Sequence, residues 1–207
     1  MKILKETVSK LGNKIQLIGN DYHKNILVIG VFHGDEPQGD FLINEYLKNN
    51  QKSELLFIPC LNPDGMKLNT RQNVNNVDLN RNFPTKNWIV NEDKSYFGGN
   101  EPASEIETKF MVEIIEEYKP KFILTLHAPY CVVNYDGDAE EIAEKISKII
   151  NYPVEADIGY PTPGSFGTYC GIERNIPTIT LELDENIDVK RLINPVHKIF
   201  DYINSVL

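Results

Sequence analysis

Four short apolar runs, rich in β-branched residues, constrain this chain most: Ile26 to Phe32, Leu55 to Ile58, Phe122 to Leu126 and Thr178 to Leu183. Runs this short, apolar throughout rather than alternating, are the pattern of strands buried on both faces. Between them the spacing changes to that of amphipathic helices. Gly39 to Asn49 is one such segment. Ala103 to Tyr118 aligns Ile106, Phe110, Met111, Ile114, Ile115 and Tyr118, and Ser104 with Glu107 predicts a capping box at its start. Asp138 to Ile150 aligns Ile142, Ile146, Ile149 and Ile150. A last helix is predicted from Asn194 and Pro195, an N-cap followed by a first-turn proline, through Val196, Ile199, Phe200 and Ile203. Strands alternating with helices imply an α/β fold with a largely parallel sheet. At 207 residues, with no repeat, low-complexity tract or linker, the chain reads as one domain over 1–207.

One stretch escapes both periodicities. Cys60 to Asn100 is rich in Asn, Gly, Pro and Asp and is too long for an ordinary connection. Its aromatics and arginines argue for a functional loop rather than disorder.

The formal charge of −9 excludes the cationic footprint that nucleic acid or an anionic membrane surface requires, so a small molecule or peptide is the expected ligand. No segment has the length of apolar sequence that spans a bilayer, and Met1 to Lys14 is charged and alternating, unlike a signal peptide. Cys60, Cys131 and Cys170 are odd in number and widely spaced, as expected of reduced thiols in a cytoplasmic protein.

Only four histidines and four arginines occur. His33 and Glu36 follow directly on the first apolar run, and His127 ends the third. Strand exits are where ligands gather in open α/β sheets. Two histidines and one carboxylate form a catalytic zinc set that leaves a coordination position open for water. His23, in a polar turn, and His197, in an amphipathic helix, read as surface or interfacial residues. The long loop carries two of the four arginines, Arg71 and Arg81, whose planar forks suit carboxylates and oxyanions.

Taken together these residues resemble a known family. His33 and Glu36, then Asn62-Pro63-Asp64-Gly65, then Val77-Asp78-Leu79-Asn80-Arg81-Asn82-Phe83, then His127, then Thr180-Leu181-Glu182-Leu183 follow the order of the zinc metallocarboxypeptidase superfamily. Within it, Glu101 to Glu105, Gly159 to Tyr169 and Gly171 to Pro177 resemble the murein peptide amidase A subgroup, compact cytoplasmic enzymes that cleave the γ-D-glutamyl–meso-diaminopimelate bond of cell-wall peptides. The resemblance implies a mixed, mostly parallel sheet flanked by helices in a single catalytic domain. It implies one zinc per chain on His33, Glu36 and His127, and Glu182 as general base and acid, taking a proton from water and returning it to the leaving amine. Arg71 would stabilise the oxyanion. Asn80 and Arg81 would clamp the substrate's free α-carboxylate. Asp78 would accept from the far nitrogen of His33.

Two features depart from the family pattern. Asn76 stands where glycine is frequent, and a left-handed backbone there tolerates Asn better than most residues. The loop from Arg71 to Asn80 is short, as in the bacterial subgroup. Counting back from Glu182 puts a substrate-binding tyrosine at Tyr160 and a pocket-lining position at Gly167, which gives room but selects nothing. Reading the zwitterionic end of diaminopimelate needs polar groups deep in the pocket, and Glu173 and Arg174 are the candidate readers, a surface salt-bridging turn being the alternative for them. A general metallocarboxypeptidase and an N-acyl amino acid hydrolase are the enzymatic alternatives, and a wall-peptide-binding module is the non-enzymatic one. The sequence leaves the oligomeric state open.

Overall fold

The computed structural model describes residues 1–157 and 159–207. Eight strands form one mixed sheet: β1 (Lys2–Val8), β2 (Lys14–Gly19), β3 (Ile26–Gly30), β4 (Leu56–Ile58), β5 (Phe122–His127), β6 (Val133–Asp136), β7 (Val154–Glu155) and β8 (Thr178–Glu182). Their order is β1-β2-β4-β3-β5-β8-β6-β7. The central strands β4, β3, β5 and β8 run parallel, and β2 and β6 join them antiparallel on either side. All four apolar runs are therefore strands, and they are neighbours at the middle of the sheet. Every residue of β3 and β5 is buried, because both faces are covered.

Alternation along the strands builds two cores. Ile26, Val28, Phe122 and Leu124 face one layer with α1 (Gln38–Asn49), α4 (Glu140–Ile150) and α5 (Ile193–Val206). Leu27, Ile29 and Ile123 face the other with α3 (Ile106–Tyr118). Leu61, Leu79 and Phe83 of the long loop, with Phe166 and Tyr169, complete that second core. The loop is thus anchored by its apolar residues and covers the part of the sheet that α3 leaves bare. Within it lies α2 (Pro63–Leu68), whose N-cap Asn62 accepts from the Gly65 N–H.

Local details differ from expectation at several ends. The predicted capping box at Ser104 does not form: Glu105 is the N-cap, Ser104 donates to the Glu105 carboxylate, and Glu107 is buried against the Asn73 amide. A 3₁₀ turn, Val189–Leu192, leads directly into α5, so Asn194 lies inside the helix rather than capping it. Pro195 still falls in the first turn, where a missing N–H costs nothing. Asn76 has φ of 58°, the left-handed conformation that its place in the motif suggests. Cys60, Cys131 and Cys170 are free thiols. Among the described residues no helix is long and apolar enough to cross a membrane.

Candidate active site

The site lies at the C-terminal ends of β3, β5 and β8. The chain leaves β3 through Phe32 and turns at His33-Gly34-Asp35-Glu36 into α1. At this turn Gly34 packs closely onto the backbone of α2. A Cβ at Gly34 would lie 2.0 Å from the Gly65 carbonyl carbon. His127 is the last residue of β5, and its register partner on β8 is Glu182. Three adjacent parallel strands thus deliver two histidines and two carboxylates to one edge of the sheet.

His33, Glu36 and His127 are buried, and their ligand atoms all lie within 4.8 Å of one another. Glu36 faces both imidazoles, at 2.8 Å from His33 Nδ1 and 3.1 Å from His127 Nδ1. The two Nδ1 atoms are 3.3 Å apart. On its far side His33 Nε2 lies 3.2 Å from the fully buried Asp78 carboxylate. An imidazole that donates from Nε2 to Asp78 presents a lone pair at Nδ1. Lone pairs and a carboxylate converging in a buried space repel unless a cation lies among them, so this donor set fits a zinc ion. The demand for positive charge shows in the proton affinity of His33. Burial lowers its pKa, but Glu36 and Asp78 outweigh burial and raise it to about 9.

Glu182 is buried, and its Oε2 has no hydrogen-bond partner among the described residues. Burial raises its pKa, opposed by His127 and reinforced by Glu36. A carboxylate in this state is disposed to accept a proton. Arg71 donates through Nε to Asp78 Oδ2 at 3.1 Å, and its Nη2 lies 3.0 Å from the same oxygen. That leaves Nη1 beside the donor set, 3.3 Å from His33 Nδ1 and 3.7 Å from Glu36 Oε1.

Asp78 also caps the 3₁₀ turn Leu79–Arg81 by accepting from the Asn80 N–H. In Asn80, Oδ1 accepts from the Phe166 N–H at 2.9 Å, which orients the amide and leaves Nδ2 as a donor. Arg81 donates to the Asn80 carbonyl, and Tyr96 lies 5.5 Å from both guanidinium carbons, Arg71 and Arg81. His33, Glu36, Arg71, Asn80, Arg81, Tyr96, His127 and Glu182 open onto one cleft of about 280 Å³, which also carries Tyr130, Tyr160, Asn134, Asp136 and Gly167 on its walls.

The structure thus brings His33, Glu36, Arg71, Asn80, Arg81, His127, Tyr160 and Glu182 to the same cleft, with Asp78 directly behind His33. It does not bring Arg174. That guanidinium stacks 3.4 Å from the centroid of the Tyr169 ring and donates to the Tyr169 carbonyl, and Glu173 accepts from the Lys86 N–H. The Arg174 guanidinium is thus engaged outside the cleft, away from the other candidate site residues. His23 and His197 also lie elsewhere: His23 beside Tyr118, and His197 bonded to the Leu42 carbonyl between Tyr46 and Phe200. Tyr96 and Asp136 have no motif around them that marks them in the sequence. Only the folded loop and the end of β6 bring them to the cleft.

Comparison with known proteins agrees with this geometry. The family model for zinc carboxypeptidases matches residues 8–156. Murein peptide amidase A of Vibrio campbellii is 34% identical over 171 residues, covering 76% of this chain and 68% of the relative. The Escherichia coli protein of that name is 32% identical over 170 residues, covering 75% and 69%. The crystal structure of murein-tripeptide amidase MpaA from Escherichia coli superposes with a TM-score of 0.84 at 26% identity, over 95% of this chain and 89% of that one. Carboxypeptidase A from Helicoverpa armigera shares the fold, with a TM-score of 0.73 at 16% identity, over 98% of this chain and 68% of its own. The metal-ready donor set at the strand ends, the family match that contains it and relatives one-third identical converge on one assignment: this chain belongs to the zinc carboxypeptidase family.

Proposed function

We propose that this chain is a zinc-dependent hydrolase that cleaves the γ-D-glutamyl–meso-diaminopimelate amide of murein peptides. The observation that carries the reading is a buried, partly unpartnered carboxylate, Glu182, in register with His127 of the donor set and sharing a cleft with the Asn80–Arg81 pair. The relatives named for murein peptides supply the substrate class. His33, Glu36 and His127 would hold one zinc ion per chain, with Asp78 fixing the tautomer of His33. When bound, zinc polarises the scissile carbonyl and acidifies a water molecule.

The chain's own residues perform the remaining work. Arg81 and the Asn80 amide hold the free α-carboxylate of the leaving unit, and Tyr160 packs against the bound peptide. Glu182 takes a proton from the attacking water and delivers it to the departing amine as the C–N bond breaks. The hydroxyl stays on the glutamyl carbon and the leaving unit departs as a free amine. Arg71 Nη1 donates to the oxygen that gains negative charge. The three free thiols fit a reducing compartment, the cytoplasm.

Incubating zinc-loaded protein with L-alanyl-γ-D-glutamyl-meso-diaminopimelate and a panel of ordinary peptides tests the reading. Release of diaminopimelate, identified by mass and abolished by a chelator, is the expected result. An intact tripeptide beside trimmed ordinary peptides would make the chain a general metallocarboxypeptidase instead.

A further inference from the structure

Arg71 and Asp78 both face His33, and the segment between them folds around a side chain that the proposed mechanism does not use. Asn73 is buried. Its N–H donates to the Val77 carbonyl at 3.0 Å, and its carbonyl accepts from the Asn76 N–H at 2.9 Å. Its side-chain Oδ1 accepts from the N–H groups of Asn75 and Val77, at 3.0 and 3.1 Å. The left-handed backbone of Asn76 completes the reversal. Residues 73 to 77 are therefore tied into one unit, with Arg71 at its entry and Asp78 at its exit.

The same amide fastens this unit to the rest of the fold. Asn73 Nδ2 donates to Glu105 Oε2 at 2.7 Å and to Glu107 Oε2 at 3.3 Å. Asn75 Nδ2 reaches the same Glu105 oxygen at 2.6 Å. Both carboxylates are buried at the start of α3, whose Phe110, Met111 and Ile114 belong to the second core. Burial raises the pKa of Glu105, but the donors Asn73, Asn75 and Ser104 outweigh it and hold the carboxyl below its usual range. Hydrogen bonds to an ionised acceptor in a desolvated place are stronger than those between neutral groups. The turn is thus clamped to a helix of the core rather than left to the loop's own conformation.

We infer that Asn73 is a positioning residue whose amide, held by the Glu105 and Glu107 carboxylates, sets the place of Arg71 Nη1 in the cleft. The inference rests on the proposed role of Arg71 at the developing oxyanion. The Arg71 backbone leads into the clamped unit, and its guanidinium bonds Asp78 at the unit's other end. A shift of the unit therefore moves both the arginine and its side-chain anchor. An oxyanion donor acts only within hydrogen-bond reach of the reacting oxygen, so a displacement of about 1 Å removes much of its effect. Asn73 is not among the described residues that line the cleft, so replacing it takes no contact from the substrate.

The test is Asn73→Asp, which keeps the acceptor for both N–H groups of the turn and replaces the donor with a third carboxylate oxygen facing Glu105 and Glu107. At saturating zinc, kcat on whichever amide the chain cleaves should fall on the order of 30-fold, with KM changed by no more than about 3-fold. In an Arg71→Ala background the same substitution should cost no more than about 3-fold further, because its effect passes through Arg71. An equal loss in both backgrounds, or a rise in KM alone, would overturn the inference. Glu105→Ala cuts the clamp from the other side should Asn73→Asp fold poorly. Glu105 makes no side-chain cap bond to α3, so the helix start stays intact, and kcat should fall by at least about 5-fold. Undiminished kcat in Glu105→Ala would overturn the inference as well.

Side-chain hydrogen exchange separates this result from failure of the proposed activity. The Arg71 Nε–H is bonded to Asp78, and its exchange with solvent, followed by nuclear magnetic resonance, needs no turnover. In Asn73→Asp it should exchange at least about 10-fold faster. The Trp88 indole N–H, which donates to the Gly98 carbonyl in the same long loop, should keep its wild-type rate. If the chain cleaves no amide yet shows this pattern, the activity is wrong and the positioning of Arg71 by Asn73 stands. Wild-type exchange at Arg71 in the variant, or equal acceleration at Arg71 and Trp88, would overturn it.

Discussion

His127 and Glu182 are register partners on adjacent parallel strands, so the donor set and the proposed proton carrier sit one strand spacing apart on a rigid sheet edge. Their separation is set by backbone hydrogen bonding rather than by loop conformation. Glu182→Gln keeps the shape and removes the proton carrier. We expect kcat to fall by roughly 10²- to 10⁴-fold with zinc content, measured by atomic emission, unchanged. Unimpaired turnover in that variant would sink the assigned role.

Asp78 joins three functions in one buried carboxylate: it faces His33 Nε2, bonds Arg71 and caps the turn that carries Asn80. Asp78→Asn retains an acceptor for the cap but loses the charge behind His33. Zinc affinity should fall about 10- to 100-fold, read by competition with a chromophoric chelator. Wild-type affinity in the variant would show that the tautomer is fixed by something else.

Gly34 is where the metal-binding turn meets α2. A Cβ there would lie within 2.0 to 2.5 Å of three backbone atoms of Gly65 and Met66, none of which can rotate away. Gly34→Ala should therefore cost about 3 kcal/mol or more in a urea melt and impair zinc binding, because relief requires moving the turn between His33 and Glu36.

Arg174 gives a contrasting expectation. Its guanidinium is exposed but stacked on Tyr169, so Arg174→Ala should lose stability by about 0.5–1 kcal/mol and leave the ranking of substrates intact. A change in leaving-unit preference without a change in melting would restore it to the site.

Asp136 predicts a pH signature. Its folded-state pKa, raised by burial from 3.8 to about 6, means that the native state holds the proton more tightly than the unfolded chain. Stability present at pH 3.8 is therefore lost as pH rises towards 6. Asp136→Asn cannot ionise. Its melting temperature relative to wild type should rise between pH 4.5 and pH 7.5, by an amount equivalent to on the order of 1 kcal/mol after allowance for the open cleft. A difference independent of pH would mean that Asp136 has a partner in solution.

The sequence by itself determined the centre of this protein. Four apolar runs could bury both faces only as neighbouring inner strands, and polar residues at their ends had to gather at one sheet edge. His33, Glu36 and His127 were legible for that reason, Arg71 and Arg81 stood out as rare arginines in the long loop, and the family order of motifs extended the reading to Glu182, Asp78 and Asn80. The periphery was less legible. The β1–β2 hairpin lies at the sheet's edge, where β1 is mostly exposed and buries too little to leave a strong pattern. β6 has only four residues, too few for a period to show. Side-chain direction was out of reach altogether. Arg174 and Asp136 are each a single charged residue near a turn, and nothing local states which one faces the cleft. Tertiary structure decided it: the backbone of Gly167 and Gly171 closes around Asp136, while Tyr169 offers its ring to Arg174 on the outside. A charge goes where packing leaves it space and a partner, and both are properties of the assembled layers rather than of neighbours in sequence.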